Sequence, residues 1–126
     1  MFLKRPGGQS QFSRHLAAQQ RDDVFGTLEL WMLEHLDADL SVETLARRAS
    51  MSPRHFARLF KLRLGTTPAA YVRRLRVEEA RRQIESGSAR VKHVARSSGF
   101  TDDQHMRRAY KRLLGVTPAE YRSRFQ

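Results

Sequence analysis

Beyond residue 21 the apolar positions of the chain recur at helical spacing, in blocks separated by Ser, Gly and Pro. Val24, Phe25, Leu28, Trp31, Met32 and Leu36 form the first block and predict a helix over about 22–36, with Asp22 and Asp23 at its electropositive start. In the second block Ser41 is placed to cap a helix over about 42–49, and Ser50-Met51-Ser52 predicts a turn. Pro53 then stands at a first helical position, where proline is tolerated. Phe56, Leu59, Phe60 and Leu64 make an i, i+3, i+4, i+8 stripe that Gly65 ends. Thr67 and Pro68 open a longer pattern through Tyr71, Val72, Leu75, Val77, Ala80 and Ile84, which closes at Ser86-Gly87-Ser88. As one helix this stretch is a rod of about 28 Å.

The same order then returns. Val42-Glu43-Thr44-Leu45-Ala46-Arg47 matches Val91-Lys92-His93-Val94-Ala95-Arg96, and Phe56-Ala57-Arg58-Leu59-Phe60-Lys61 matches Met106-Arg107-Arg108-Ala109-Tyr110-Lys111. Gly65-Thr66-Thr67-Pro68-Ala69-Ala70-Tyr71 matches Gly115-Val116-Thr117-Pro118-Ala119-Glu120-Tyr121. The second unit predicts inward-facing Val91, Val94 and Ala95, a turn at Gly99, capping-box spacing between Thr101 and Gln104, and a stripe of Met106, Ala109, Tyr110 and Leu113. A last helix starts at Thr117-Pro118, with Glu120 at capping-box spacing, and ends near Phe125. Ala46 and Ala95 are small at matching places, so helices can approach closely there. Each unit is a short helix, a tight turn and a second helix, which is helix-turn-helix geometry twice. The expected fold is all-α, with two helix-turn-helix subdomains joined by a long connecting helix, about seven helices in all. The expected divisions are 1–21 linker or tail, 22–66 first subdomain, 67–87 connecting helix and 88–126 second subdomain.

Charge gives this architecture a partner. The 126 residues carry 24 Lys+Arg against 13 Asp+Glu, a formal +11. Residues 1–37 hold four basic and five acidic side chains, so the last 89 residues hold twenty and eight, a net +12. Such a surface suits a polyanion. The chain has no cysteine, which excludes disulfides, thiolate metal sites and cysteine nucleophiles. His15, His35, His55, His93 and His105 do not pair at metal-ligand spacing, and no cofactor is expected. Lys4 and Arg5 lead into Pro6-Gly7-Gly8 and not into a hydrophobic segment, so a cytoplasmic, nucleoid-associated protein with no membrane association is expected. There is no Gly-x-Ser-x-Gly turn and no phosphate-cradling glycine loop, so an enzyme has little to stand on.

The string Val91-x-x-Val94-Ala95-x-x-x-Gly99-Phe100-Thr101-Asp102, followed by Met106-x-Arg108-Ala109-Tyr110-Lys111-x-x-x-Gly115-Val116-Thr117-Pro118-x-x-Tyr121-Arg122, is similar to the signature of the AraC/XylS family of bacterial transcription regulators. The resemblance covers about residues 22–126. The first unit and connector, with Arg5-Pro6-Gly7-Gly8-Gln9-Ser10-Gln11-Phe12 as a linker, resemble the branch with an amidotransferase-like (PfpI-type) N-terminal sensor domain, which this chain would then lack. The resemblance implies two recognition helices in successive major grooves of double-stranded DNA, and RNA polymerase as a further partner. It assigns base contacts to Arg54, His55 and Arg58 on the first recognition helix and to Asp103, Gln104, Arg107 and Arg108 on the second. Phosphate contacts are expected at Ser52, Lys61, Arg73, Arg74, Thr101, Lys111 and Arg112, where the charge excess of the repeat region lies and a generic solvated face is the alternative.

The residues themselves weigh these roles. Arg54 and Arg58 lie four apart, opposite the Phe56/Phe60 stripe, where arginine forks match guanine O6 and N7; a merely solubilising face is the bland alternative. Asp102 and Asp103 suit the helix dipole, with cytosine recognition by Asp103 as the other option. Gln104 is either spent on the capping box or free to read adenine. Arg76, Arg81, Arg82, Arg90, Lys92, Arg122 and Arg124 join the phosphate candidates, of which about half are expected to touch DNA. Arg47 and Arg48 are expected to face solvent, and Trp31, Phe56, Phe60, Tyr71, Phe100 and Tyr121 to pack in the core. The competing function is a helical adaptor that binds polymerase or another acidic protein and holds DNA without sequence preference.

Overall fold

The structure is a computed structural model that describes residues 24–87 and 90–124. Among these residues it is all-helical: α1 (24–34), α2 (Val42–Arg48), α3 (Pro53–Leu64), α4 (Pro68–Ser86), α5 (Val91–Ser97), α6 (Asp103–Leu114) and α7 (Pro118–Ser123). Asp22, Asp23 and Phe125, expected in the first and last helices, and the linker-like Arg5–Phe12, lie outside the described residues. No helix is long and apolar enough to cross a membrane, and no three His, Cys, Asp or Glu side chains converge to hold a metal, among the described residues.

The chain forms two compact units. The first holds the described residues through Glu34 together with Ser41–Pro68. Phe25, Leu28 and Met32 of α1, Leu45 and Ala46 of α2, and Phe56 and Phe60 of α3 are buried in it. Phe25 meets Phe56 at 6.0 Å and Phe60 edge-on at 5.8 Å, a cluster in which each ring contributes about 2–3 kcal/mol by burial. Trp31, expected in this core, is only half-buried: Phe25, Leu28 and Met32 take the inward face of α1, and the Arg48 guanidinium covers the indole at 3.8 Å.

The second unit holds His35–Leu40 and Ala69 onward. Here the division departs from the sequence expectation, which left 35–40 with the first subdomain and the connecting helix as a separate element. Val77, Ala80 and Ile84 of α4 are core residues, packed with Val94 and Ala95 of α5 and Met106, Ala109 and Tyr110 of α6. The 35–40 strap is tied to α4 by Arg76, whose Nε donates to the Leu36 carbonyl at 2.9 Å and whose Nη2 donates to that of Ala38 at 3.0 Å. Ser97 of α5 donates to Gln83 of α4 at 2.6 Å, and Tyr121 of α7 donates to the Glu85 carboxylate, so both flanking helices are fixed to α4. Phe100, Tyr71 and Tyr121 are half-buried and not fully enclosed. Leu113 continues the α6 stripe in sequence but is 43% exposed, because Met106, Ala109 and Tyr110 already fill the seam.

The two helix-turn-helix turns share one construction. After α2, Met51 N–H bonds to the Ala46 carbonyl and Ser50 N–H to that of Arg47; after α5, Phe100 bonds to Ala95 and Gly99 to Arg96. This paired closure needs a left-handed residue, and Ser50 takes it at φ 58 while Gly99 sits at φ 98. Buried Ala46 and Ala95 supply the accepting carbonyls, so the small residue and the turn are one feature.

Candidate nucleic-acid interface

α3 begins where Ser52 accepts a hydrogen bond from the His55 backbone N–H at 3.2 Å, with Pro53 in the first turn. With Phe56 and Phe60 inward, Arg54, Arg58 and Lys61 are left exposed at i, i+4, i+7, a single outward ridge. His55 flanks it and accepts from Arg58 Nη2 at 3.2 Å. The cap uses one lone pair of Ser52 Oγ and leaves its O–H free to donate, the geometry a phosphate contact requires.

On α6, Met106, Ala109 and Tyr110 point inward and Gln104, Arg108 and Lys111 take the same i, i+4, i+7 outward positions. The repeat therefore places Gln104 where α3 has Arg54, Arg108 where it has Arg58, and Lys111 where it has Lys61. Thr101 does not cap α6, as its spacing to Gln104 suggested. Asp102 does, accepting the His105 backbone N–H at 2.9 Å and its ring Nδ1–H at 2.8 Å. The backbone bond, then the ring bond, hold the Asp102 carboxyl below the usual carboxylate range. Two capping residues stood side by side, and the carboxylate took the position. Gln104 is thereby released from capping and stands exposed on the ridge. Asp103, the first residue of α6, is exposed at the helix N-terminus, where its charge meets the dipole.

Beside the α6 ridge, Arg107, Arg108, Lys111 and Arg112 surround one open depression with Thr117. Asp103, Gln104 and Arg107 border a second with Val91 and Thr117. Thr117 is a member the sequence reading did not assign. It caps α7, accepting the Glu120 N–H at 3.1 Å while Glu120 accepts the Thr117 N–H at 2.9 Å. The only sign of it in the sequence is the capping-box spacing.

Among the phosphate candidates, Lys61, Arg74, Lys111 and Arg112 are exposed, as is Thr101, whereas Arg73 is half-buried. Arg76 leaves this group. Its guanidinium serves the strap, and burial lowers its pKa against the opposing pull of Asp39 and Asp37. Arg82 and Arg81 pair along α4 with Glu79 and Glu85. Arg47 and Arg48 are exposed.

Known proteins share this sequence pattern and fold. A helix-turn-helix domain family matches residues 45–124. The regulator Rv1931c of Mycobacterium tuberculosis is 46% identical over 81 residues, 64% of this chain and 31% of that protein. The transcriptional activator RhaS of Escherichia fergusonii is 35% identical over 87 residues, 69% of this chain and 31% of that one. The chain thus spans about a third of the length of the curated relatives it matches, and those relatives are transcriptional regulators. Among solved structures, the DNA-binding domain of AdpA in complex with a target DNA superposes with TM-score 0.76 at 38% identity, over 79% of this chain and 90% of that one. An AraC-type regulator from Chromobacterium violaceum does so with TM-score 0.74 at 28% identity, over 86% and 96%. With two helix-turn-helix units built alike and a family match across both, the chain belongs to the AraC-type helix-turn-helix DNA-binding domains.

Proposed function

We propose that this chain is the sequence-specific, double-stranded DNA-binding part of a bacterial transcription regulator, with α3 and α6 as recognition helices for successive major grooves. The observation that carries this reading is the repeated outward ridge: Arg54, Arg58 and Lys61 on α3, and Gln104, Arg108 and Lys111 on α6. Arginine forks suit guanine O6/N7, a free glutamine suits adenine N6/N7, and a lysine further along each helix suits phosphate. Asp103 adds a carboxylate able to accept from a cytosine amino group. Arg107 and Arg112 border the same cationic depression as Arg108, and Ser52, Arg73, Arg74 and Thr101 complete the backbone contacts. Two unlike ridges on one chain call for a non-palindromic site of about 15–20 base pairs, read without a second copy.

The AdpA domain was solved with a target DNA at 38% identity, which supports the DNA assignment, and the RhaS relatives support an activator. We further infer contact with RNA polymerase, a place among nucleoid proteins, and a sensor domain of the PfpI type; the last rests on the likeness of the first unit, connector and Arg5–Phe12 to that branch.

Substitution separates the roles. Arg54→Ala and Arg58→Ala each weaken binding to the preferred duplex by about 1–3 kcal/mol and relax specificity locally, whereas Arg74→Ala weakens preferred and random duplexes alike. Equal losses on both duplexes for all three variants refute the assignment and favour a helical adaptor with non-specific DNA affinity.

A further inference from the structure

The two recognition helices carry histidines at equivalent places that behave oppositely. On α3, Arg58 Nη2 donates to His55 Nδ1 at 3.2 Å. A guanidinium has donors only, so Nδ1 is the lone-pair nitrogen and His55 is the neutral Nε2–H tautomer in this arrangement. On α6, His105 Nδ1 faces the Asp102 carboxylate at 2.8 Å and is the donor. Protonation would strengthen the His105 pair. It would abolish the His55 bond and set an imidazolium against a guanidinium.

We propose that His55 is a positioning residue for Arg58: its neutral imidazole holds the guanidinium in place on the outward ridge, and its protonation releases it, so that sequence discrimination through α3 falls at low pH. This rests on the reading of α3 as a recognition helix. The Arg58–His55 bond spans i to i+3 on an exposed face, so it satisfies no buried group; what it does is restrict an otherwise mobile side chain. It uses one of five guanidinium N–H groups and leaves a fork for a guanine edge.

Among the described residues the surroundings supply no competing partner. On α3 the other charged groups are Arg54, Lys61 and Arg63. On α2, the preceding helix of the motif, they are Glu43, Arg47 and Arg48, and on α1, whose Phe25 packs on Phe56, they are Glu29 and Glu34. Among the described residues Arg58 is the side chain bonded to the His55 ring, while Arg48 lies on Trp31. Histidine is the ordinary side chain that changes charge between pH 5 and 8, so that is the range to examine.

The test measures affinity for a preferred and a random duplex at fixed salt, at pH 8 and pH 5.5, and takes their ratio. For the parent the ratio is expected to fall about threefold to tenfold at the lower pH, the scale of one hydrogen bond. His55→Asn places an amide Oδ1 near the Nδ1 position and cannot protonate, so its ratio does not change between the two pH values. His55→Ala stays low at both. Arg58→Ala lowers the ratio about tenfold or more at either pH, and adding His55→Ala to it changes nothing more. A parent ratio independent of pH, or one that falls equally in His55→Asn, overturns the role of His55 while leaving Arg58 as a base reader. An unchanged ratio in Arg58→Ala overturns the recognition role of Arg58 itself, and the positioning role with it.

Discussion

Among the described glycines, Gly99 is the one that should tolerate alanine least. Its φ of 98 lies beyond where an L residue rests comfortably, and an added Cβ would stand 1.9 Å from the Leu36 carbonyl oxygen and 2.7 Å from Arg76 Nε. Both neighbours belong to the strap closure, in which Arg76 donates at 2.9 Å to Leu36 and at 3.0 Å to Ala38. Left-handed strain contributes about 1–2 kcal/mol. Loss of two hydrogen bonds from a charged donor adds about 1.5–3 kcal/mol each, reduced by the water that reaches a half-buried guanidinium. The sum is about 3–5 kcal/mol, a large share of the roughly 5–15 kcal/mol that holds a small domain. Gly115→Ala is the internal control: its φ of 81 is also left-handed, but the added Cβ meets nothing within 4 Å, so strain alone remains. Urea unfolding followed by circular dichroism should show Gly99→Ala losing at least 2 kcal/mol more than Gly115→Ala, by the same bond energies. Equal losses would refute the strap account.

Binding should weaken steeply with salt. If about 6–8 phosphates are neutralised, log K falls against log salt with a slope of about −5 to −7, and a slope shallower than about −2 contradicts the cationic interface. Acid should loosen the start of α6. The Asp102 carboxyl is held below its ordinary range, so its contribution is present above the unfolded carboxylate pKa and is lost as pH falls through the folded one. Asp102→Asn keeps a capping oxygen and should flatten this part of the acid unfolding profile below about pH 4, whereas an unchanged profile removes Asp102 from it.

The architecture was legible because the chain states it twice. Pro53 and Pro118 at helix starts, the left-handed closures at Gly65 and Gly115, and the inward Phe56, Phe60, Met106, Ala109 and Tyr110 fall where periodicity and caps put them. The outward ridges followed by subtraction, since fixing Phe56, Phe60, Met106 and Tyr110 inward leaves few places for Arg54, Arg58, Gln104 and Arg108. What stayed hidden depended on backbone acceptors. Arg76 resembles every other arginine of α4 in the sequence, and nothing in Leu36 or Ala38 announces that their carbonyls receive it. The Thr101–Asp102 choice was hidden for a different reason, since two good caps one residue apart are separated only by the path of the turn. The outward angle of the His55 ring, which decides its partner, is likewise a property of the folded helix.

The central claim is that two unlike ridges on one chain read one asymmetric site. Selecting bound sequences from random duplex with the isolated chain tests it most directly. The selected pool should hold a single non-palindromic motif of about 15–20 base pairs, with two specified blocks and stricter preference in the block that Arg54→Ala and Arg58→Ala relax. A palindromic motif that requires two chains, a motif confined to one half-turn, or no enrichment at all would contradict it.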